Sequence, residues 1–332
     1  MIGQIDTERA SRAFRQRLID ATGRLLISSF HGSAQSQDLD EPPNCSGLGR
    51  TRAFRQQSSR GWPSNPLPLL PAARALGFSS PQQLRIQLFQ LSACNWRCWY
   101  CYVPFDRLRA DPRTSQWISA DGLIERYTEE TLRSPVIILS GGQPDLVPEW
   151  VPQTMRALQQ RSLDTSTYLW SDDNLSNDFF FRYLSNSDRQ LIRCYPHYGR
   201  VGCFKGFDAA SFSFNTKAHP DHFNRQFDCF ERMLETGIDL YAYATFTTNV
   251  SDGIEEAMAR FIDKLQGISR LLPLRLVPLE VRRYSPLEER IDNRIWTVAD
   301  ESQHRAIAAW IRELDMRFNG DERATSIVDI RL

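Results

Sequence analysis

An α/β fold, arranged as a partial barrel or an open sheet, is what this sequence predicts. Three observations lead there. Segments with strand and helix patterning alternate six times between residues 82 and 318, and such alternation implies parallel strands covered by helices. Six units are too few to close an eight-stranded barrel. The segments that end the expected strands are rich in Gly, Ser, Asp and Thr. That suits a sheet whose chemistry lies at the C-terminal strand ends.

In chain order, Phe14, Leu18 and Leu25 recur among arginines over residues 7–29, predicting a helix or a helix followed by a strand. Residues 31–75 are rich in Ser, Pro, Gly and Asn without an apolar period; they read as a long irregular wrap, with a lid over the open side of the barrel as one role. Leu84, Ile86 and Leu88 alternate as in a strand. Ser119 caps a helix marked by Leu123, Tyr127 and Leu132. Val136 to Leu139 is a buried strand stopped by Gly141-Gly142. Pro148 opens a helix through Val151, Met155 and Leu158. Thr167 to Trp170 is the third strand, and an aromatic helix follows from Phe179 to Leu184. Val201 to Phe207 is the fourth. Phe223, Phe227, Phe230 and Leu234 then give an amphipathic helix ending at Gly237. Leu240 to Phe246 and Leu274 to Val281 are the last strands, with helices over Ile254–Leu265 and Ile307–Phe318. The chain thus divides into an N-terminal extension (1–80), a core (81–285) and a C-terminal helical segment (286–332).

The 332 residues carry 40 basic and 40 acidic side chains, so formal net charge is zero. That argues against a dominant electrostatic grip on nucleic acid. Lysines are rare (Lys205, Lys217 and Lys264), the other basic residues being arginine. No run of ~18 apolar residues suggests a membrane span, and the N-terminus, which lacks a long apolar core and contains Asp6, Glu8 and Asp20, does not read as a targeting peptide. Seven cysteines, three of them clustered, argue for a metal or redox site in a reducing compartment such as the cytoplasm rather than a disulfide framework. The five histidines show no metal-ligand spacing.

The cluster is Cys94, Cys98 and Cys101, a C-x3-C-x2-C loop just after the first core strand. Protein iron–sulfur clusters usually take four cysteine ligands, so three on one loop leave one iron open. Zinc, which normally takes four ligands in a structural site, is the competing reading, with Cys45 or a histidine as the fourth.

This loop, with aromatic Tyr100 before its last cysteine, resembles the radical S-adenosylmethionine (SAM) superfamily. So does Ser140-Gly141-Gly142-Gln143-Pro144, one strand later, which is similar to the family's Gly-Gly-Glu-Pro motif with Gln143 in place of glutamate. The resemblance covers roughly residues 82–285. It implies a partial (β/α)6 TIM barrel and a single [4Fe–4S] cluster held by Cys94, Cys98 and Cys101. It implies SAM on the open iron, Tyr100 near the adenine, and the Ser140–Pro144 turn on the SAM ammonium. Asp172 and Lys205 are the expected contacts to SAM hydroxyls and carboxylate, with Asp173 beside them. The implied reaction is reductive cleavage of SAM, fed by flavodoxin or ferredoxin, to a 5′-deoxyadenosyl radical that takes hydrogen from a substrate. Trp96, Trp99 and Phe105 are expected to wall the cavity, and Asp106 and Arg107 to reach substrate. Cys194, Cys203 and Tyr195 are candidates to donate a hydrogen atom. No cysteine follows Cys229, so no auxiliary cluster of the SPASM or twitch kind is expected. A small-molecule substrate is the first expectation. A protein-modifying activase and a non-catalytic zinc- or cluster-binding interaction protein are the alternatives.

Overall fold

The computed structural model describes residues 4–57, 59–79, 83–288 and 290–332. Helix α1 (Thr7–Leu18) is capped by Asp6 and leads into strand β1 (Leu25–Ser28). The wrap contains a strand that its composition hid, β2 (Gly49–Arg55), and a short helix, α2 (Leu69–Leu76). The core then runs β3 (Gln83–Gln90), β4 (Ser115–Ile118), α3 (Ala120–Glu129), β5 (Val136–Ser140), α4 (Trp150–Gln160) and β6 (Tyr168–Asp173). It continues with α5 (Phe179–Tyr183), α6 (Asn186–Cys194), β7 (Tyr198–Phe204), α7 (Ala209–Thr216) and α8 (His222–Leu234). It ends with β8 (Leu240–Thr245), α9 (Ile254–Ile268), β9 (Leu276–Leu279), α10 (Asn293–Arg317) and α11 (Gly320–Ala324). The last long helix starts well before the Ile307 that apolar spacing marks.

Seven strands form one sheet in the order β2-β3-β5-β6-β7-β8-β9. The six from β3 onward are parallel and follow chain order, as the six-fold alternation requires. β2 adds antiparallel to β3, pairing Gly49 with Phe89 and Arg55 with Gln83. The expected core boundary at residues 80 and 81 falls on residues outside the described set; β2, within the expected N-terminal extension, is a strand of the same sheet. β1 and β4 make a separate antiparallel pair.

Side chains alternate across the sheet as pleating demands. Val136 and Ile138 join an inner cluster with Ile86, Tyr168, Trp170, Cys203, Tyr241 and Tyr243. Ile137 and Leu139 face the helices with Phe204, Met155 and Phe261. The sheet is curled into a half-barrel: Phe54 from β2 and Leu279 from β9 pack against the same inner cluster. Trp62, beyond β2, donates its indole N–H to the Pro278 carbonyl of β9 at 3.1 Å. Among the described residues no helix is long and apolar enough to cross a membrane.

Candidate metal centre and cofactor site

The cysteine loop leaves the C-terminal end of β3 and is tied down on every side. Its Arg97 and Trp99 amides donate to the carbonyls of Thr216 and Asn215 at 3.0 and 3.2 Å. These belong to the last turn of α7, where helix carbonyls lack intrahelical donors. The Asn215 side chain accepts from the Trp99 indole at 3.0 Å and donates to the Lys205 and Thr247 carbonyls, joining the loop to the ends of β7 and β8. Asn95 donates to Ser11 and Ser176, and the Trp96 indole to Thr7, which docks α1 beneath the loop. Arg97 binds the carbonyls of Cys94, Trp96 and Leu108. Arg290 binds those of Cys101 and Val103.

All seven cysteines are free thiols. Cys94 and Cys98 are each 9 % exposed, and Cys101 is half-buried. Burial pushes the Cys98 thiol up to about 12 and raises that of Cys94, so thiolates here require nearby positive charge. Lys205 supplies it. Burial opposes its charge, but Tyr100, Cys203, Cys98 and Cys101 around it outweigh that penalty, and its pKa rises. The Cys94 sulfur accepts from the Trp96 amide at 3.5 Å and the Asn174 side chain at 3.8 Å. Among the described residues no three His, Cys, Asp or Glu groups converge as ligands of a single ion. Cys45 lies instead beside Glu130 and Arg126 at the end of α3.

Around the inner rim below the loop stand Ser140, Asp172, Cys203 and Lys205. Ser140 donates to Asp172, and the Trp170 indole donates to it at 3.1 Å; burial raises the Asp172 pKa. Gly141 and Gly142 both have positive φ (+59° and +63°), and a Cβ on Gly142 would collide with the Ala93 carbonyl. The turn therefore sits directly on the root of the cysteine loop, clasped by the Gln143 amide donating to Ala93 O at 2.8 Å. Pro144 follows as the first residue of a buried turn. Tyr100 lies beside Lys205 and Thr245, with a buried hydroxyl that has no hydrogen-bond partner. These features fit a cluster and a nucleoside ligand: buried thiols under a cation, a glycine turn against their loop, and an unpartnered tyrosine.

Four expectations are corrected. Gln143 is 1 % exposed, and both ends of its side-chain amide are bonded within the scaffold: Nε2 donates to Asp173 at 2.7 Å and Oε1 accepts from the Asn174 amide at 2.9 Å. It holds two strand ends together, with its amide turned to Asp173 and Asn174 and buried rather than presented to the open rim. Asp173 likewise faces away from the barrel interior, paired at 2.9 Å with fully buried Arg200, which also binds Asp145. Cys194 is exposed at the end of α6, and Tyr195 follows it just before β7. Both therefore lie at the N-terminal strand ends, opposite the cysteine loop; of the three hydrogen-donor candidates only Cys203 faces the interior. Finally, Trp96 and Arg107 serve the scaffold, Trp96 against Thr7 and Phe212 and Arg107 on the carbonyls of His31 and Thr114.

Sequence reasoning missed Asn215 and Arg290, which clamp the loop across 116 and 189 residues of chain. The one available signal was the Asp208-x-x-Ser211 capping box that starts α7. Neither a protein family nor a curated protein sequence matches the chain. Among solved structures it is similar to Streptococcus suis SuiB bound to the precursor peptide SuiA, with TM-score 0.39 and 14% identity. It is also similar to SuiB bound to S-adenosylmethionine, with TM-score 0.37 and 13% identity. Both likenesses cover 55% of this chain and 36% of SuiB, so the likeness spans about a third of that protein.

Proposed function

We propose that this chain is a radical SAM enzyme, with Cys94, Cys98 and Cys101 holding three irons of one [4Fe–4S] cluster. The observation that carries the reading is the seating of the Gly141-Gly142 turn on the root of the cysteine loop, at the C-terminal rim of a half-barrel that presents Asp172 and Lys205. A cubane asks for one thiolate at each of three corners rather than convergence on a single ion.

When bound, the cluster and SAM supply reductive C–S cleavage and a 5′-deoxyadenosyl radical able to take hydrogen from an unactivated C–H bond. The chain's own residues position and shield that chemistry. Lys205 offers a fixed positive charge to a carboxylate. Asp172, oriented by Ser140 and Trp170, accepts from ligand hydroxyls. Backbone carbonyls of the Gly141–Gly142 turn remain for an ammonium, the Gln143 side chain being spent elsewhere. The Trp96 amide and Asn174 hydrogen-bond the Cys94 sulfur, a contact of the kind that tunes cluster potential. Electrons come from a flavodoxin- or ferredoxin-type donor, and a cluster of unpaired cysteines supports a reducing compartment such as the cytoplasm. The substrate is a small molecule.

Anaerobic reconstitution tests this. About four irons per chain, brown charge-transfer absorption and 5′-deoxyadenosine from SAM plus dithionite are expected, and Cys98→Ala abolishes all three. Stoichiometric zinc without iron would sink the reading and restore the metal-binding interaction protein. Product that forms only when a partner protein is added would move the substrate to the protein class.

A further inference from the structure

Four arginines are buried among the described residues. Three are compensated. Arg200 has Asp145 and Asp173, Arg275 has Asp239 and the Ile330 carbonyl, and Arg107 has backbone carbonyls and Asp106. Arg50 is the exception. It is 6 % exposed, its Nε is buried without a partner, and its guanidinium makes no ion pair or hydrogen bond with any described residue. Aromatic faces flank it instead, Tyr102 at 4.8 Å and Phe30 at 5.8 Å. Burial pushes its pKa down to about 10, which leaves it charged at neutral pH. A buried charge without a counter-charge is costly, and natural chains rarely keep one without use.

Its surroundings say what the use is. Arg50 pairs in register with inward-facing Leu88, near the functional end of β3. It walls a niche of about 120 Å³ together with Asp40, Arg52, Tyr102 and Tyr284. Tyr102 directly follows Cys101. Asp38, also in the niche, is occupied by the backbone and hydroxyl of Ser285. Asp40, Arg52 and Tyr284 also wall a cavity of about 530 Å³ that reaches Tyr243 and Glu280 between the two free edges of the sheet. A small niche therefore opens from a larger chamber. The niche has room for one charged head group and the chamber for the body that carries it.

We propose that Arg50 binds the carboxylate of the substrate, whose remainder fills the chamber between β2 and β9. A guanidinium offers a planar fork suited to a carboxylate. Asp40 and Arg52 in the same niche offset one another, so Arg50 is left to balance a single negative charge, which favours a carboxylate over a phosphate dianion. The assignment of this ligand as substrate rests on the radical SAM reading; the binding itself does not.

Thermal unfolding in sodium acetate, with ionic strength held constant, tests it on the full chain. Wild type is expected to gain roughly 2 °C at tenfold excess over the dissociation constant, and less in phosphate. Arg50→Met should melt higher than wild type without acetate, because the uncompensated charge is gone, and should not respond to acetate. An acetate response that survives in Arg50→Met, or none in wild type, overturns the proposal. A stronger response to phosphate overturns the choice of carboxylate. Should Arg50→Met fail to fold, Arg50→Lys keeps the charge without the fork; an undiminished acetate response there also overturns it. Wild type that responds to acetate but yields no 5′-deoxyadenosine sinks the radical SAM reading alone.

Discussion

At position 143 an amide, not a carboxylate, faces Asp173 at 2.7 Å. Arg200 already balances two buried carboxylates, Asp145 and Asp173. A glutamate at 143 would keep the Asn174 amide as a donor for one oxygen but set its other oxygen against the Asp173 carboxylate, a third acidic group beside a single arginine. Gln143→Glu is expected to destabilise the fold by about 2–4 kcal/mol, read by urea unfolding. Adding Asp173→Asn, which turns the acceptor into a donor, should recover much of that loss. No recovery would mean that the pair does not explain the glutamine. Gly142 makes the companion case: positive φ and the Ala93 carbonyl leave no room for a Cβ. Gly142→Ala should displace the loop root and reduce iron content on reconstitution several-fold while far-ultraviolet dichroism stays native. Full iron content would show that the turn does not set the loop. The motif residues themselves were legible, because their spacing is local. The partner of Gln143 lies 30 residues on and across a strand crossing, beyond what spacing encodes.

At the scale of elements, α7 does more than cover the sheet. Its C-terminal carbonyls bind the loop amides, and Asn215 serves Trp99, Thr247 and the Lys205 carbonyl at once. Asn215→Ala leaves several buried polar groups without partners, costing about 2–3 kcal/mol. The expected result is faster hydrogen exchange at the Arg97 and Trp99 amides and a shorter cluster lifetime in air than wild type. Unchanged exchange at both amides would remove α7 from the site. Most elements were legible: strands β3, β5, β6, β8 and β9 lie where the apolar patterning put them, and β7 starts and ends three residues before the expected Val201–Phe207. β2 was not. Gly49–Arg55 reads GRTRAFR, with one large apolar residue, and becomes a strand because β3 offers it a ladder of backbone partners. Tertiary context overrode propensity.

Across the whole molecule, the N-terminal 80 residues are part of the machine. They supply α1 under the cysteine loop, β2 on the sheet edge and Trp62 on β9. A chain begun at residue 81 would expose the full edge of β3, with its unpaired backbone groups. It is expected to be insoluble or to aggregate on concentration, as size-exclusion chromatography would show; a monomeric, cluster-binding product would contradict this role.

By itself the sequence determined the six-fold strand–helix order, the three thiols on one loop and the glycine turn that follows, because each depends on residues close together along the chain. Only the tertiary structure decided which strand closes the sheet edge, which acids share Arg200, which thiol faces inward, and that Arg50 is left without a partner. Those outcomes depend on side chains brought together from distant parts of the chain, where burial and charge balance, not local pattern, select the neighbour.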